Sequence, residues 1–184
     1  MIQHRLLGIC GSLRAPSVNR KLLNEAIRLY GPADVQIADL RLPLYDGDLQ
    51  DAEGIPQAVE ALSAQIADAD AVLIATPEYN KAITGVLKNA LDWVSRTDAN
   101  PWKAKLVAIV SASAGRTGGE AGQYSVIHAL AAFRPRMSSG PMLTVGEGYK
   151  QFDEDGRLIN ERYVDKLTQV VETLRAEVDD ARKS

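Results

Sequence analysis

The sequence predicts an α/β protein: a parallel sheet with helices on both faces. Three observations carry this. The runs at Arg5–Cys10 and Ala71–Ala75 are apolar without polar alternation, as strands covered on both sides require. Helically spaced apolar residues follow the strand runs, so strand and helix units alternate five times along the chain. The loops of unusual composition, after the first, third and fourth strands, all fall at the C-terminal strand ends, where such sheets bind ligands.

Arg5–Cys10 is the first strand. Beyond it, Leu22, Leu23, Ala26, Ile27 and Tyr30 recur at helical spacing until Gly31-Pro32 stops the helix. Val35–Leu40 is expected as the second strand, and the breaker-rich Leu42-Pro43-Leu44-Tyr45-Asp46 as a connecting loop. Val59, Leu62 and Ile66 mark a helix from Pro56 to about Ala69, the proline being tolerated in its first turn. After the third strand, Ala71–Ala75, the polar loop Thr76–Asn80 opens into a helix whose stripe is Ile83, Val86, Leu87, Ala90, Leu91 and Val94. Lys105–Val110 reads as the fourth strand, Ser111–Gly119 as a small-residue loop and Glu120–Phe133 as a helix. A fifth strand lies between Arg136 and Val145, its limits blurred by Pro135, Gly140 and Pro141. A turn at Phe152–Gly156 precedes a final helix striped by Val164, Leu167, Val171, Leu174 and Val178. No repeat or linker interrupts the chain, so residues 1–184 are expected as one domain.

Composition excludes several functions. The formal charge of −3, with no basic block interleaved with aromatics, disfavours nucleic acid as a partner. No apolar run of about 18 residues and no leader pattern is present, so no membrane partner is expected. The single cysteine excludes an internal disulfide, and a cytoplasmic location follows as the expectation. Cys10, ending a buried strand, reads as a small core residue. His4 and His128 stand apart from carboxylate clusters, so no metal site is expected. Lys88 and Asp92 are spaced as a surface helix pair. Asp153 and Asp155 suggest a calcium loop, but Arg157 stands where its third ligand belongs, which leaves a turn.

The chemistry begins in the first loop. Gly11 permits a sharp turn, Ser12, Ser17 and Asn19 offer neutral hydrogen-bond partners, and Arg14 supplies a permanent positive fork. Taken alone, this suits either a phosphate monoester at a helix N-terminus or an ordinary helix capped by Ser17. The companion loops favour the phosphate. Tyr79 and the small residues around Gly115 accommodate a planar ring, and Asn80 with backbone amides can bond its polar edge. Flavin mononucleotide (FMN) fits that outline. A dinucleotide fits less well without G-x-G-x-x-G, and a nucleoside triphosphate lacks its lysine.

Three motifs in order, Gly11-Ser12-Leu13-Arg14 with Ser17 and Asn19, Pro77-Glu78-Tyr79-Asn80, and Gly85 to Trp93, resemble the NAD(P)H-dependent FMN reductases, which include quinone, chromate and azo-dye reductases. The resemblance runs from the first strand to at least Gly119 and takes in the loop Leu42–Asp46. It implies a flavodoxin-like fold, a five-stranded parallel sheet of order 2-1-3-4-5, with one non-covalent FMN per subunit. By that pattern Gly11, Ser12, Arg14, Ser17, Val18 and Asn19 surround the phosphate. Pro77, Glu78, Tyr79 and Asn80 border the isoalloxazine, and Ser113, Ala114, Gly115 and Arg116 close its other side. The loop departs from the family at Arg116 and Thr117, where apolar residues are common; Arg116 is therefore a candidate to favour an anionic acceptor or the nicotinamide phosphate. NADPH or NADH is the implied donor, and a quinone, azo compound, metal oxyanion or similar small molecule the acceptor. No side chain is expected to act as catalytic acid or base, since the flavin carries the chemistry. Trp93 and its helix are expected in the core or at a subunit contact of a homodimer or homotetramer. The rival readings are a flavodoxin-type electron carrier and a reductase releasing reduced flavin to a monooxygenase.

Overall fold

The computed structural model describes residues 3–183. Apolar runs become the central strands: β1 (Arg5–Cys10), β3 (Ala71–Thr76) and β4 (Leu106–Ala112). β2 (Asp34–Ile37) is shorter than its sequence run and lies at one edge. The edge beyond β4 is shared by two short segments, β5 (Arg136–Met137) and β6 (Leu143–Val145). Every pairing is parallel, in the order β2-β1-β3-β4-β5, with β6 also pairing β4.

The expected fifth strand is thus broken. Val107 faces Met137 and Val110 faces Leu143, so six steps along the edge strand span three of β4 and the surplus bulges outward at Ser138–Met142. Pro141 has no N–H for the ladder. The bulge is instead fixed to the last helix, where Ser139 donates from its backbone N and Oγ to Glu177 Oε1 at 3.0 and 2.8 Å.

Alternate residues of each central strand enter opposite cores, as the pleat dictates. Leu6, Leu73, Ala75, Ala108 and Val110 pack under α1 (Val18–Tyr30) and α6 (Glu161–Ala181). Leu7, Ile9, Val72, Ile74, Val107 and Ile109 pack under α3 (Gln57–Asp68), α4 (Gly85–Val94) and α5 (Glu120–Ala131). The sequence reading missed α2 (Gly47–Glu53), which buries none of its residues and has no stripe to betray it. It starts at an Asp46 cap accepting from Asp48 N at 2.9 Å and stops at Gly54.

Trp93 is fully buried, donating from Nε1 to Pro43 O at 2.8 Å while its ring meets Tyr45 edge-on. With Asn89, which bonds Pro43 O and Tyr45 N, it pins the Leu42–Asp46 loop onto α4. Lys88 and Asp92 form the expected surface pair at 2.6 Å. Asp153 closes a turn by accepting from Arg157 N at 2.7 Å. No helix among the described residues is long and apolar enough to cross a membrane.

Candidate functional site

The loops following β1, β3 and β4 meet at the C-terminal edge of the sheet around a cleft of about 490 Å³. That lies within the ~300–1,000 Å³ typical of small-molecule sites. Of the residues expected there, Ser12, Arg14, Ser17, Val18, Asn19, Pro77, Glu78, Tyr79, Ser113, Ala114 and Gly115 line it. Gly11, Asn80 and Arg116 do not.

At one end stands the start of α1. Ser17 caps it, its Oγ accepting from Arg20 N at 3.4 Å, and the first N–H groups of the helix have no intrahelical acceptor. Arg14 makes no side-chain hydrogen bond or ion pair among the described residues, although its backbone N donates to Ser12 Oγ at 3.3 Å. A helix N-terminus beside an uncommitted guanidinium suits a dianionic phosphate.

Asn19 does something the sequence did not suggest. Its side-chain amide is buried and spent on Ala112, donating to the carbonyl at 2.8 Å and accepting from the N–H at 2.9 Å. It thereby locks α1 to the end of β4. Gly11 likewise serves the framework rather than the ligand. A Cβ there would meet Thr76 Oγ1 at 2.7 Å, and its N and O bond Ala75 O and Thr84 Oγ1, each at 2.8 Å. Its φ is not positive, so close packing of β1 on β3, and not a sharp turn, requires glycine.

The other end of the cleft is built on a tight hairpin. Tyr79 and Ala82 bridge across Asn80 and Lys81, both left-handed with φ of 50° and 64°. The turn directs Asn80 away from the cleft lining and brings Lys81 into it. Tyr79 is 52% exposed, and the exposed Tyr149 borders the cleft from the 3-10 turn Gly148–Lys150.

Glu78 holds the hairpin to α5. That helix begins at a left-handed Gly119 with no side-chain cap, and Glu78 Oε2 supplies one from outside by accepting from Gly122 N at 3.1 Å. Its other oxygen pairs with Lys81 Nζ at 3.2 Å. Burial pushes the Glu78 carboxyl up, but the Gly122 and Ala121 N–H groups and Lys81 outweigh it and hold the group below its ordinary value. Glu78 is therefore an ionised structural acceptor, not a proton donor.

The β4 loop is fixed from behind. Ser113 N bonds Val145 O, Gly148 N bonds Ser113 O, and Glu147 N bonds Gly115 O, at 3.1, 2.8 and 3.1 Å. Gly118, at φ 66°, leaves no room for a Cβ against Thr144 and Val145. The Arg116 carbonyl lies close against Gly146, and its exposed side chain is not part of the cleft lining. The lining residues missed from sequence are Pro16, Lys81, Ala112, Thr117 and Tyr149. Pro16, Lys81, Ala112 and Thr117 all lie in or beside loops the sequence singles out; Tyr149 is a solitary tyrosine far along the chain.

A parallel sheet of order 2-1-3-4-5 with this cleft at its C-terminal edge defines a flavodoxin-like nucleotide-binding protein. Residues 4–150 match the family described as NADPH-dependent FMN reductase, and the chain belongs to it. It is 40% identical to an NAD(P)H-dependent FMN reductase of Pseudomonas aeruginosa, over 93% of each chain. It is 36% identical to a quinone reductase of Escherichia coli, over 89% of each. Among solved structures it resembles the flavoenzyme NAD(P)H:(acceptor) oxidoreductase FerB of Paracoccus denitrificans, with 28% identity and a TM-score of 0.86 over 97% and 98% of the two chains. The protein is accordingly an oxidoreductase of a family that uses FMN and a reduced nicotinamide.

Proposed function

We propose that this chain oxidises NADPH or NADH through a bound FMN and passes two electrons to a quinone-like small acceptor. The observation that carries the reading is the cleft's division of labour. One end offers helix N–H groups and the uncommitted Arg14; the other offers Tyr79, Tyr149 and the backbone of Ser113–Gly115. Ser12, Arg14, Ser17 and the Val18 and Asn19 backbone would hold the phosphate. Tyr79, Pro77 and Gly115 would border the ring. Bound flavin supplies the hydride-accepting centre. The protein's part would be to fix the ring edge against backbone dipoles and to leave one face open for donor and acceptor in turn; Lys81 lines the same end, its ammonium paired with Glu78.

Asn80 and Arg116 have no part in this assignment, and the quinone preference leans on the similarity to named quinone reductases. A homodimer or homotetramer remains part of the proposal on the strength of the family resemblance. The test is to purify the protein, record its visible spectrum, and mix it anaerobically with NADH, NADPH and then a benzoquinone. Bleaching by a nicotinamide and recovery with the quinone are expected. A colourless protein that neither takes up FMN nor bleaches it overturns the reading.

A further inference from the structure

We propose that the polar pocket on the β2 side of the first loop is a second anion site, formed by Arg20 and Arg41 with Arg14 standing between it and the flavin phosphate, which receives the 2′-phosphate of the donor and selects NADPH over NADH. The inference rests on the reductase reading above. This pocket, of about 130 Å³, lies across the loop from the cleft, with Ser12 and Arg14 bordering both.

Its charge is the argument. Three guanidiniums line it from three separate segments: Arg14 from the loop, Arg20 from the first turn of α1, and Arg41 from the chain beyond β2. The one carboxylate in the lining is Asp39, already paired with Arg41 at 3.1 Å in a contact about two-thirds exposed on both sides. Arg14 and Arg20 have no acidic partner among the described residues. Arg20 thus has no anion of its own among the described residues and Arg41 shares only an exposed one, and planar guanidinium forks match phosphate oxygens in number and direction. In dinucleotide-binding sheets an acid near the end of the second strand holds a ribose diol, and a nearby arginine accommodates a 2′-phosphate instead; this chain lacks the glycine motif of those sheets but has Asp39 and Arg41 just beyond β2. Here Asp39 is turned towards Arg41, leaving the pocket positive. Arg116 borders neither pocket.

The experiment titrates the FMN-loaded protein with adenosine 2′-monophosphate and, for comparison, adenosine 5′-monophosphate. It then measures kcat/KM for NADPH and NADH in the wild type, Arg20→Gln and Arg41→Gln. The 2′-phosphate should bind more tightly than the 5′-phosphate and weaken about tenfold in each variant, with the NADPH-to-NADH ratio of kcat/KM falling by about the same factor. Equal binding of the two monophosphates, or a ratio that moves less than about twofold in both variants, overturns the proposal. Displacement of FMN by either adenosine phosphate also overturns it, since the arginines would then serve the flavin's own phosphate. The titration is repeated on flavin-free protein, where loss of the reductase reading leaves the arginine site still measurable.

Discussion

The two edges of the sheet use the same residue types to opposite ends. At the N-terminal edge, charged and polar groups satisfy one another. His4 bridges the Tyr30 hydroxyl at 2.7 Å and Asp179 at 2.9 Å, and Arg175 donates to Tyr30 O while lying over its ring. Asp70 takes both Arg182 and the Arg5 N–H at 2.6 Å, and Lys105 donates to the carbonyls of Ala67 and Ala69. At the C-terminal edge Arg14 and Arg20 are left uncommitted while the Asn19 amide, the Thr84 hydroxyl and the Glu78 carboxylate hold the frame. The closed network fastens α1 and α6 to the sheet, and spare donors are kept where a ligand must supply the acceptor.

Mutating each edge should separate stability from binding. Arg14→Ala is expected to raise the dissociation constant for FMN by about 30- to 150-fold, equivalent to about 2–3 kcal/mol, with thermal stability little changed. A fluorescence titration measures the first and calorimetry the second. An unchanged FMN affinity would move the phosphate away from this loop. His4→Ala should do the reverse, lowering unfolding free energy by about 2 kcal/mol through the loss of one buried and one part-buried hydrogen bond while FMN binding stays the same. The same edge sets the alkaline limit. Burial raises the Tyr30 hydroxyl from 10.0 to about 12. A folded value above the unfolded one means this contribution is complete below pH ~10 and is lost as pH climbs towards ~12. Tyr30→Phe should flatten that alkaline limb in a plot of melting temperature against pH.

What the sequence made legible follows the same division. β1, β3 and β4 were readable because a strand buried on both faces has no choice but continuous apolar side chains. The helices that cover them were readable from their stripes. α2 was not, because it buries nothing, and the break between β5 and β6 was not, because register is a property of the pair and β4 gives no hint of the bulge beside it. The short motifs point to the loops that line the cleft but not to the work of each residue. Asn19 and Glu78 looked like ligand contacts; the first ties α1 to Ala112 and the second caps α5, partners distant in sequence. Tyr149 enters the cleft only because Gly148 N is anchored to Ser113 O.

Gly11 tests whether the frame at the ligand edge is as tight as that at the other. Gly11→Ala places a methyl group 2.7 Å from Thr76 Oγ1 and 3.2 Å from its Cβ, so β1 and β3 must part slightly. A loss of about 1–2 kcal/mol is expected by chemical denaturation, of which the double variant with Thr76→Ala should recover more than half. If the single variant is as stable as the parent, the glycine is there for the ligand after all.

The smallest effect concerns acid. The Glu78 carboxyl is driven up by burial but held below its ordinary value of 4.5 by the N–H groups of Gly122 and Ala121 and by Lys81. With the folded value the lower one, its contribution is fully present above pH ~4.5 and is lost as pH falls through the folded value. Protonation there removes the charge that ties the Tyr79 hairpin to the start of α5, so the ring end of the cleft should loosen before the phosphate end does. Glu78→Gln keeps an oxygen for Gly122 N but no charge, at a cost of about 1 kcal/mol at neutral pH, and its stability should decline less steeply on acidification than the parent's. Hydrogen exchange between pH 3 and 6 separates the loops. Amides of Gly122 and Ala82 should lose protection in the parent ahead of Ala112, whose N–H is held by the neutral Asn19. Simultaneous loss at all three would mean that the two ends of the cleft open as one unit.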